Sequence, residues 1–552
     1  MLSRRGAFWL LVPVLAILLG YVVYPSLRMF ATGMTWDNYA ALFSSWRSAN
    51  VRALYTSVWI SLTTVLGAGV LGTTLAYLFF RFDFPLRRTL MALAALPLAL
   101  PPLVGVLAFL FLYGESGILP RSLQALLGLD AVPFRFEGLW AVWLVHVYSL
   151  YVYFYLFVMA ALRGVDRSLL EAAADLGAPP HLTFRRVVLP LLRPALVSAA
   201  LLVFMVSMAS FTAPLLFAGT DNFLTLQIYN YKTNGDLALS AAVSTVLTLI
   251  CLAFLLLIEL GPRRPGTGAA KGAAPPPVPV RSGWARALAL GGALALLLFL
   301  LLPIATIVLL SFAQEGSWTY QILPARYTLA NYVDLLADPD VFQPIRNSLR
   351  MAALATAANV VFGVAAALLI AKSRLPGRTF LRLLTALPFA IPGTVIAVNL
   401  IVTFNTPSPL GFGRILVGTF WILPLAYFIR HIPFVVRATV AALEGYDDRL
   451  SEASADLGAG FLTTFRRVVL PVIGPGILAG TLLTFVAALG EFVSSIMLYI
   501  FENRPISVEI LAQLRLYDFG AAAAYAVFLM LLIGLSTLVV HRLGARDAAG
   551  AL

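Results

Sequence analysis

Long apolar stretches alternate with short polar ones along the whole chain. A helix that crosses a bilayer needs about 20 mostly apolar residues. About twelve stretches meet that length. They lie near 7–31, 54–80, 89–113, 138–162, 194–218 and 237–260 in one half, and near 284–312, 346–371, 379–404, 414–442, 474–500 and 519–541 in the other. They do not alternate with period two, and they are about twice too long for barrel strands. The pattern therefore predicts an all-α membrane protein of about twelve transmembrane helices. Residues Met1 to Arg5 and the apolar run behind them could open a signal peptide. The run continues through Pro25 to Ala31 without a small-residue cleavage site, so a retained first span is expected.

Composition sharpens this picture. Hydrophobic residues make up 61% of the 552 and charged residues only 11%, and mean hydropathy is +0.92. Soluble domains carry about 25% charged residues, so a set of soluble domains and a disordered chain are both excluded. The single cysteine, Cys251, excludes a disulfide scaffold and Cys-based metal sites. With the N-terminus in the cytoplasm, about 25 of the 38 basic residues fall on that side, against about 11 of the 25 acidic ones. Nearly all of the +13 net charge is then cytoplasmic. That is the balance of a membrane protein lying against lipid, not of a nucleic-acid binder, and an even span number puts both termini in the cytoplasm.

Residues 261–283 are Pro/Gly-rich and basic, with Lys271 and Arg281, and have no apolar period. They read as a cytoplasmic linker between a first repeat, 1–260, and a second, 284–552. The halves resemble each other. Asn38-Tyr39 recurs as Asn331-Tyr332, and Pro85, Pro97 and Pro101 recur as Pro376, Pro388 and Pro392. The prolines are expected to kink the third and ninth spans. Leu169–Pro190 matches Leu450–Pro471 at about 16 of 22 positions with a constant offset of 281. Each repeat begins on the same side and has an even number of spans, so the two are parallel.

The matched loops, 166–190 and 447–471, are polar, and each predicts a short capped helix. Asp166 and Asp447 are candidate N-caps. Glu171 and Glu452 follow, then Asp175 and Asp456, with alanines that favour helix between them. Gly177 and Gly458 suit the left-handed position that ends a helix. Arg185-Arg186 and Arg466-Arg467 lie beyond. A polar helix repeated this faithfully between two spans reads as an exposed knob built to fit a socket on a partner.

The pattern Glu-Ala-Ala, three residues, Gly, then Leu-Pro resembles the coupling loop of permease subunits of binding-protein-dependent ABC importers. It is seen at Glu171, Ala172 and Gly177, and again at Glu452, Ala453 and Gly458, where Ser454 replaces the second alanine. The resemblance covers both halves. It implies the type I ABC importer permease fold, a fused chain in place of the usual permease dimer, and two copies of a cytoplasmic ATP-binding subunit docked on the two loops. It also implies an extracytoplasmic solute-binding protein and a place in the inner membrane. Within this class, Glu491-Phe492, Arg504–Leu511 and Tyr517–Gly520 most resemble the ferric-iron permeases, with thiamine, phosphonate and polyamine systems close by.

No Gly-x-x-x-x-Gly-Lys-Ser/Thr phosphate loop is present, and Lys232, Lys271 and Lys372 are the only lysines. The chain is therefore expected to hold no cofactor and no ATPase site of its own. No set of residues reads as a catalytic or metal centre. Arg430 and His431 fall inside the tenth predicted span and Glu491 inside the eleventh, where charge is costly and faces a cavity or a partner. Counting 1.5 Å per residue from the inner face puts Arg430 and Glu491 at similar depth, so they are expected to pair or to line the path together. Their counterparts in the first half are Ser149 and Ser210. His146 and the tyrosines at 148, 151, 153 and 155 are expected to serve packing and interface anchoring. An ion-coupled secondary transporter would also have two parallel halves and would use Arg430 and Glu491 for coupling, but the repeated loop has no role in that scheme.

Overall fold

A computed structural model describes residues 4–260, 277–280, 282–319, 321–373 and 376–549. Residues 261–276 and 281 of the expected linker lie outside the described residues, as do both chain ends. Helices dominate. Eleven of them among the described residues are long and apolar enough to cross a bilayer, and a bent pair makes a twelfth. In chain order the long spans are Gly6–Gly33, Ala49–Arg81, Pro102–Leu127, Leu139–Arg163, His181–Met208 and Leu237–Ile258, then Gly283–Leu310, Pro339–Lys372, Ile422–Glu444, Phe461–Leu489 and Phe519–Leu538. The tenth span begins at Ile422, eight residues later than its apolar run, because Gly413 and Gly418 take left-handed φ of +75° and +80° and keep the chain out of helix before it.

The third and ninth spans are broken. The third is divided into Arg87–Leu93, Leu96–Ala99 and Pro102–Tyr113. The ninth is divided into Arg378–Ala390 and Gly393–Phe404, bent by 102°. The cause is local. A residue before proline is pushed out of the helical region, and Leu100 (φ −83°, ψ 132°) and Ile391 (φ −83°, ψ 116°) are both extended. A broken helix inside a membrane frees backbone carbonyls that neighbours must satisfy. The fourth span does this: Tyr151 Oη donates to the Ala94 carbonyl at 2.8 Å and Tyr155 Oη to that of Met91 at 3.0 Å. These tyrosines are buried, so they brace the break and are not anchors at the membrane surface.

The fifth and eleventh spans also end early. Their helices stop at Met208 and Leu489, and short helices, Thr212–Phe217 and Val493–Leu498, follow after three residues. Glu491 therefore lies at a break and not inside a continuous helix. It is exempt from the i→i−4 ladder there, which leaves it free to cap the next turn.

The halves interlock. The first span packs on Gly393–Phe404 of the second half: Asn399 Nδ2 donates to Ser26 Oγ at 3.0 Å, and Tyr21 stacks on Phe404 at 6.1 Å. The seventh span packs on Pro102–Tyr113 of the first half, with Tyr148 Oη donating to the Leu300 carbonyl at 3.2 Å. One core cluster accordingly draws on both halves. Within each half the second and fourth spans approach closely at a glycine. A Cβ at Gly72 would collide with the Tyr151 carbonyl, and one at Gly363 would come within 2.6 Å of Val435. Small residues at such crossings let helix backbones meet.

Candidate functional site

Two places combine polarity with repetition: the loop helices after the fourth and tenth spans, and the breaks near the middle of the molecule. The first loop helix is Arg167–Asp175 and the second is Arg449–Asp456. Asp166 Oδ1 accepts from the Ser168 amide at 3.0 Å, and Asp447 Oδ1 accepts from the Arg449 amide at the same distance. Asp166 is thereby the N-cap of its helix, as expected, but Asp447 is not: the second helix starts one residue later, its N-cap is Asp448 with no capping bond of its own, and Asp447 reaches the first-turn amide from outside.

Both helices end in the same left-handed turn. Gly177 has φ +73° and Gly458 has φ +80°. The Ala178 amide reaches back to the Ala173 carbonyl, and the Ala459 amide to that of Ser454. That six-to-one bond closes off the orphan carbonyls.

Most of what these helices carry faces outward. Glu171, Ala172, Asp175, Glu452, Ala453 and Asp456 are exposed. Glu171 pairs with Arg167 one turn away, at 2.5 Å. Leu176 and Leu457, at matching positions, are 87% and 89% exposed. An apolar tip on a polar knob is a contact surface without a partner in this chain. Arg185, Arg186, Arg466 and Arg467 are exposed as well. They lie in a feature that the sequence reading missed: Phe184–Val188 and Phe465–Val469 are both π-turns. Both have the sequence Phe-Arg-Arg-Val-Val, so the identity itself was the only available signal.

The second place is built differently in the two halves. In the second half Arg430 Nε lies 2.9 Å from Glu491 Oε2, and His431 Nε2 lies 3.9 Å from the same oxygen. Glu491 Oε1 accepts from the Ser494 amide at 3.0 Å and from its hydroxyl at 3.1 Å. The Arg430 guanidinium rests on Gly393 at the bend of the ninth span, where a Cβ would collide with it. One ion pair thus joins the tenth span, the ninth-span bend and the eleventh-span break. In the first half the charges are absent. His146 Nε2 bonds Ser210 Oγ at 2.8 Å, and its Nδ1 bonds Ser207 Oγ at 3.0 Å. Ser149 is half-buried and stands outside this link.

The breaks of the two halves touch. Phe211 and Phe492, 281 positions apart, are each 1% exposed, with ring centroids 6.1 Å apart. Beside them a Cβ on Gly490 would lie 3.2 Å from Pro101 of the other half. The two phenylalanines were not singled out from the sequence. Aromatic residues are common in these spans, and only the fold brings this repeat-related pair together.

Comparison with known proteins now bears on this geometry. The probable ABC transporter permease protein y4fN of Sinorhizobium fredii is 31% identical, over 90% of this chain and 87% of that one. The ferric transport system permease protein FbpB of Actinobacillus pleuropneumoniae is 25% identical over 95% of this chain and 76% of its own length. The sulfate transport system permease protein CysT of Salmonella typhimurium is 33% identical, over 44% of this chain and 87% of that one. The family described as the binding-protein-dependent transport system inner membrane component matches twice, at residues 68–264 and 359–547. With two copies of that unit in one multi-pass chain, the protein belongs to this family of ABC importer permeases.

Proposed function

We propose that this chain forms the translocation path of an ATP-driven importer of ferric iron. Two copies of a cytoplasmic ATP-binding subunit dock on the loop helices at 166–190 and 447–471, and a solute-binding protein delivers the substrate on the other side. The observation that carries the reading is the duplicated loop helix, with an aspartate bonded to a first-turn amide, the same left-handed glycine turn at its end, and exposed Leu176 and Leu457. A surface feature of this kind has no work to do within the chain.

On this reading ATP stays on the partner subunits, and the chain holds no cofactor and no ATPase site. ATP binding draws the partners together, the loop helices move with them, and the halves rock about their shared interface. Phe211 and Phe492 are then the barrier that rocking must separate, and Arg430, Glu491, Ser149 and Ser210 lie in or beside the path. On this reading the loop helices and both termini face the cytoplasm, the side that the excess of basic residues favours, and the chain sits in the inner membrane. Iron is favoured because the ferric permease similarity runs through 95% of the chain, both repeats included, and because of the resemblance at Glu491-Phe492, Arg504–Leu511 and Tyr517–Gly520; the sulfate permease matches over 87% of its own length.

The test is purification from a host that also expresses candidate ATP-binding and solute-binding subunits, then reconstitution into vesicles. Retention of two ATP-binding copies and ATP-dependent uptake of ferric iron is the expected result. Sulfate or polyamine uptake would reassign the substrate and keep the importer. A chain that purifies alone and takes up solute on an ion gradient would overturn the reading. Glu452→Lys and Gly458→Pro should lower substrate-stimulated ATP hydrolysis while the protein still inserts.

A further inference from the structure

The two loop helices share a glycine turn and exposed tips, yet they are fastened to the spans in unlike ways. Three directional ties hold the second. Lys372 Nζ, at the end of the eighth span, lies 2.8 Å from Asp448 Oδ1, with the Lys372 side chain only 10% exposed. Tyr446 Oη and Ser451 Oγ are 2.7 Å apart and buried. Ser454 Oγ and Thr464 Oγ1 are 2.9 Å apart and join the loop helix to the start of the eleventh span.

The first half replaces most of these groups. Positions 281 earlier are Val165 for Tyr446, Leu170 for Ser451 and Ala173 for Ser454. Thr183 is kept, but its hydroxyl turns back to the Pro179 carbonyl. Asp448 becomes Arg167, which pairs with Glu171 inside its own helix. With the second span aligned on Pro85 and Pro376, Lys372 becomes Arg81. Arg81 and Arg167 carry like charges and cannot form that tie. Among the described residues, what remains is half-buried Leu170 packed on the apolar cluster of the first half. Apolar contact is non-directional and lets surfaces slide, whereas hydrogen bonds and ion pairs weaken steeply with angle and distance.

We propose that Lys372, Tyr446, Ser451 and Ser454 are positioning residues that make the second loop helix the stiff member of two unequal ATPase contacts. The stroke of two like ATP-binding subunits then enters the second half directly and the first half through a compliant joint. This rests on the importer reading above. It adds that the fused chain divides its two contacts into a driver and a follower.

The test uses the complete complex in lipid nanodiscs. Backbone amide exchange should be about tenfold slower in 449–456 than in 167–175, because each tie must open before the helix does. Equal exchange in the two helices would overturn the proposal with no variant needed. Replacing Tyr446→Val, Ser451→Leu, Ser454→Ala and Lys372→Met together should bring the two helices within about twofold of each other. It should also cut substrate transported per ATP several-fold, with both ATP-binding subunits still retained. Lys372→Arg should keep the slow exchange and the coupling. An unchanged transport ratio in the fourfold variant would overturn the proposal. Loss of ATP-driven uptake or of ATP-binding subunits in the natural chain would instead bring down the importer reading itself.

Discussion

The two halves have the same architecture and solve the same problem with different chemistry at their centre. Where the fourth and fifth spans meet, a histidine-serine link, His146 with Ser207 and Ser210, holds the first-half break. Where the tenth and eleventh meet, Arg430 and Glu491 hold the second. Both links cross from a continuous span to a broken one, so the fold requires a polar tie there in each half. The difference teaches that the broken-span position, Ser210 or Glu491, keeps a polar tie while its chemistry and its partner on the continuous span change, since Ser149, the counterpart of Arg430, stands outside the first-half link. A carboxylate away from water is tolerated only when a partner and hydrogen bonds satisfy it, and Glu491 has Arg430, His431 and Ser494 around it.

Breaking that contrast gives the largest expected effect. Glu491→Ala strands the Arg430 guanidinium and should cost about 3–5 kcal/mol of stability. Ser210→Ala, its counterpart, should cost about 1 kcal/mol. Unfolding titrations in mixed micelles read both, and similar losses would mean that the charge adds nothing. In the cycle with Arg430→Ala, the double variant should lose less than the two single losses combined, and additivity would dissolve the pair. Next come the close crossings: Gly72→Val and Gly363→Val should each destabilise by about 1–3 kcal/mol through overpacking. Here the halves should behave alike, and tolerance in one alone would show that its crossing relaxes. Tyr151→Phe leaves the Ala94 carbonyl at the third-span break without its donor and should cost about 1–2 kcal/mol in the same titration. The loop-helix glycines should cost the two halves alike. Gly177→Ala and Gly458→Ala each force a Cβ into a left-handed turn, at about 1–2 kcal/mol per site, visible as faster amide exchange in the helix before the glycine.

Much of this was legible in the residues, for reasons that can be named. Spans are legible because the bilayer demands length and apolarity together. The loop helices are legible because the bonds that end them are short-range: Asp166 and Asp447 bond two residues on, and Gly177 and Gly458 close a turn just behind. Depth alone put Arg430 and Glu491 at one level, to pair or to line the path together, and the fold shows them paired. Less was visible at the broken spans. The prolines predict kinks, and one became a 102° bend, but the carbonyls freed there and the tyrosines that reach them lie about 60 residues apart. The apolar run 474–500 reads as one span because an early helix end at Leu489 leaves no trace in hydropathy.

The order of residues determined the span count, the repeat, the end bonds of the loop helices and the absence of a phosphate loop, because each depends on neighbours in sequence or on a bulk property of the solvent. Tertiary structure decided which half each first span serves, that Phe211 meets Phe492, that Arg430 rests on Gly393, and that one loop helix is tied while its twin is not. Those contacts join residues tens to hundreds of positions apart. Their chemistry is present in the sequence, but their distance is set only when the helices cross.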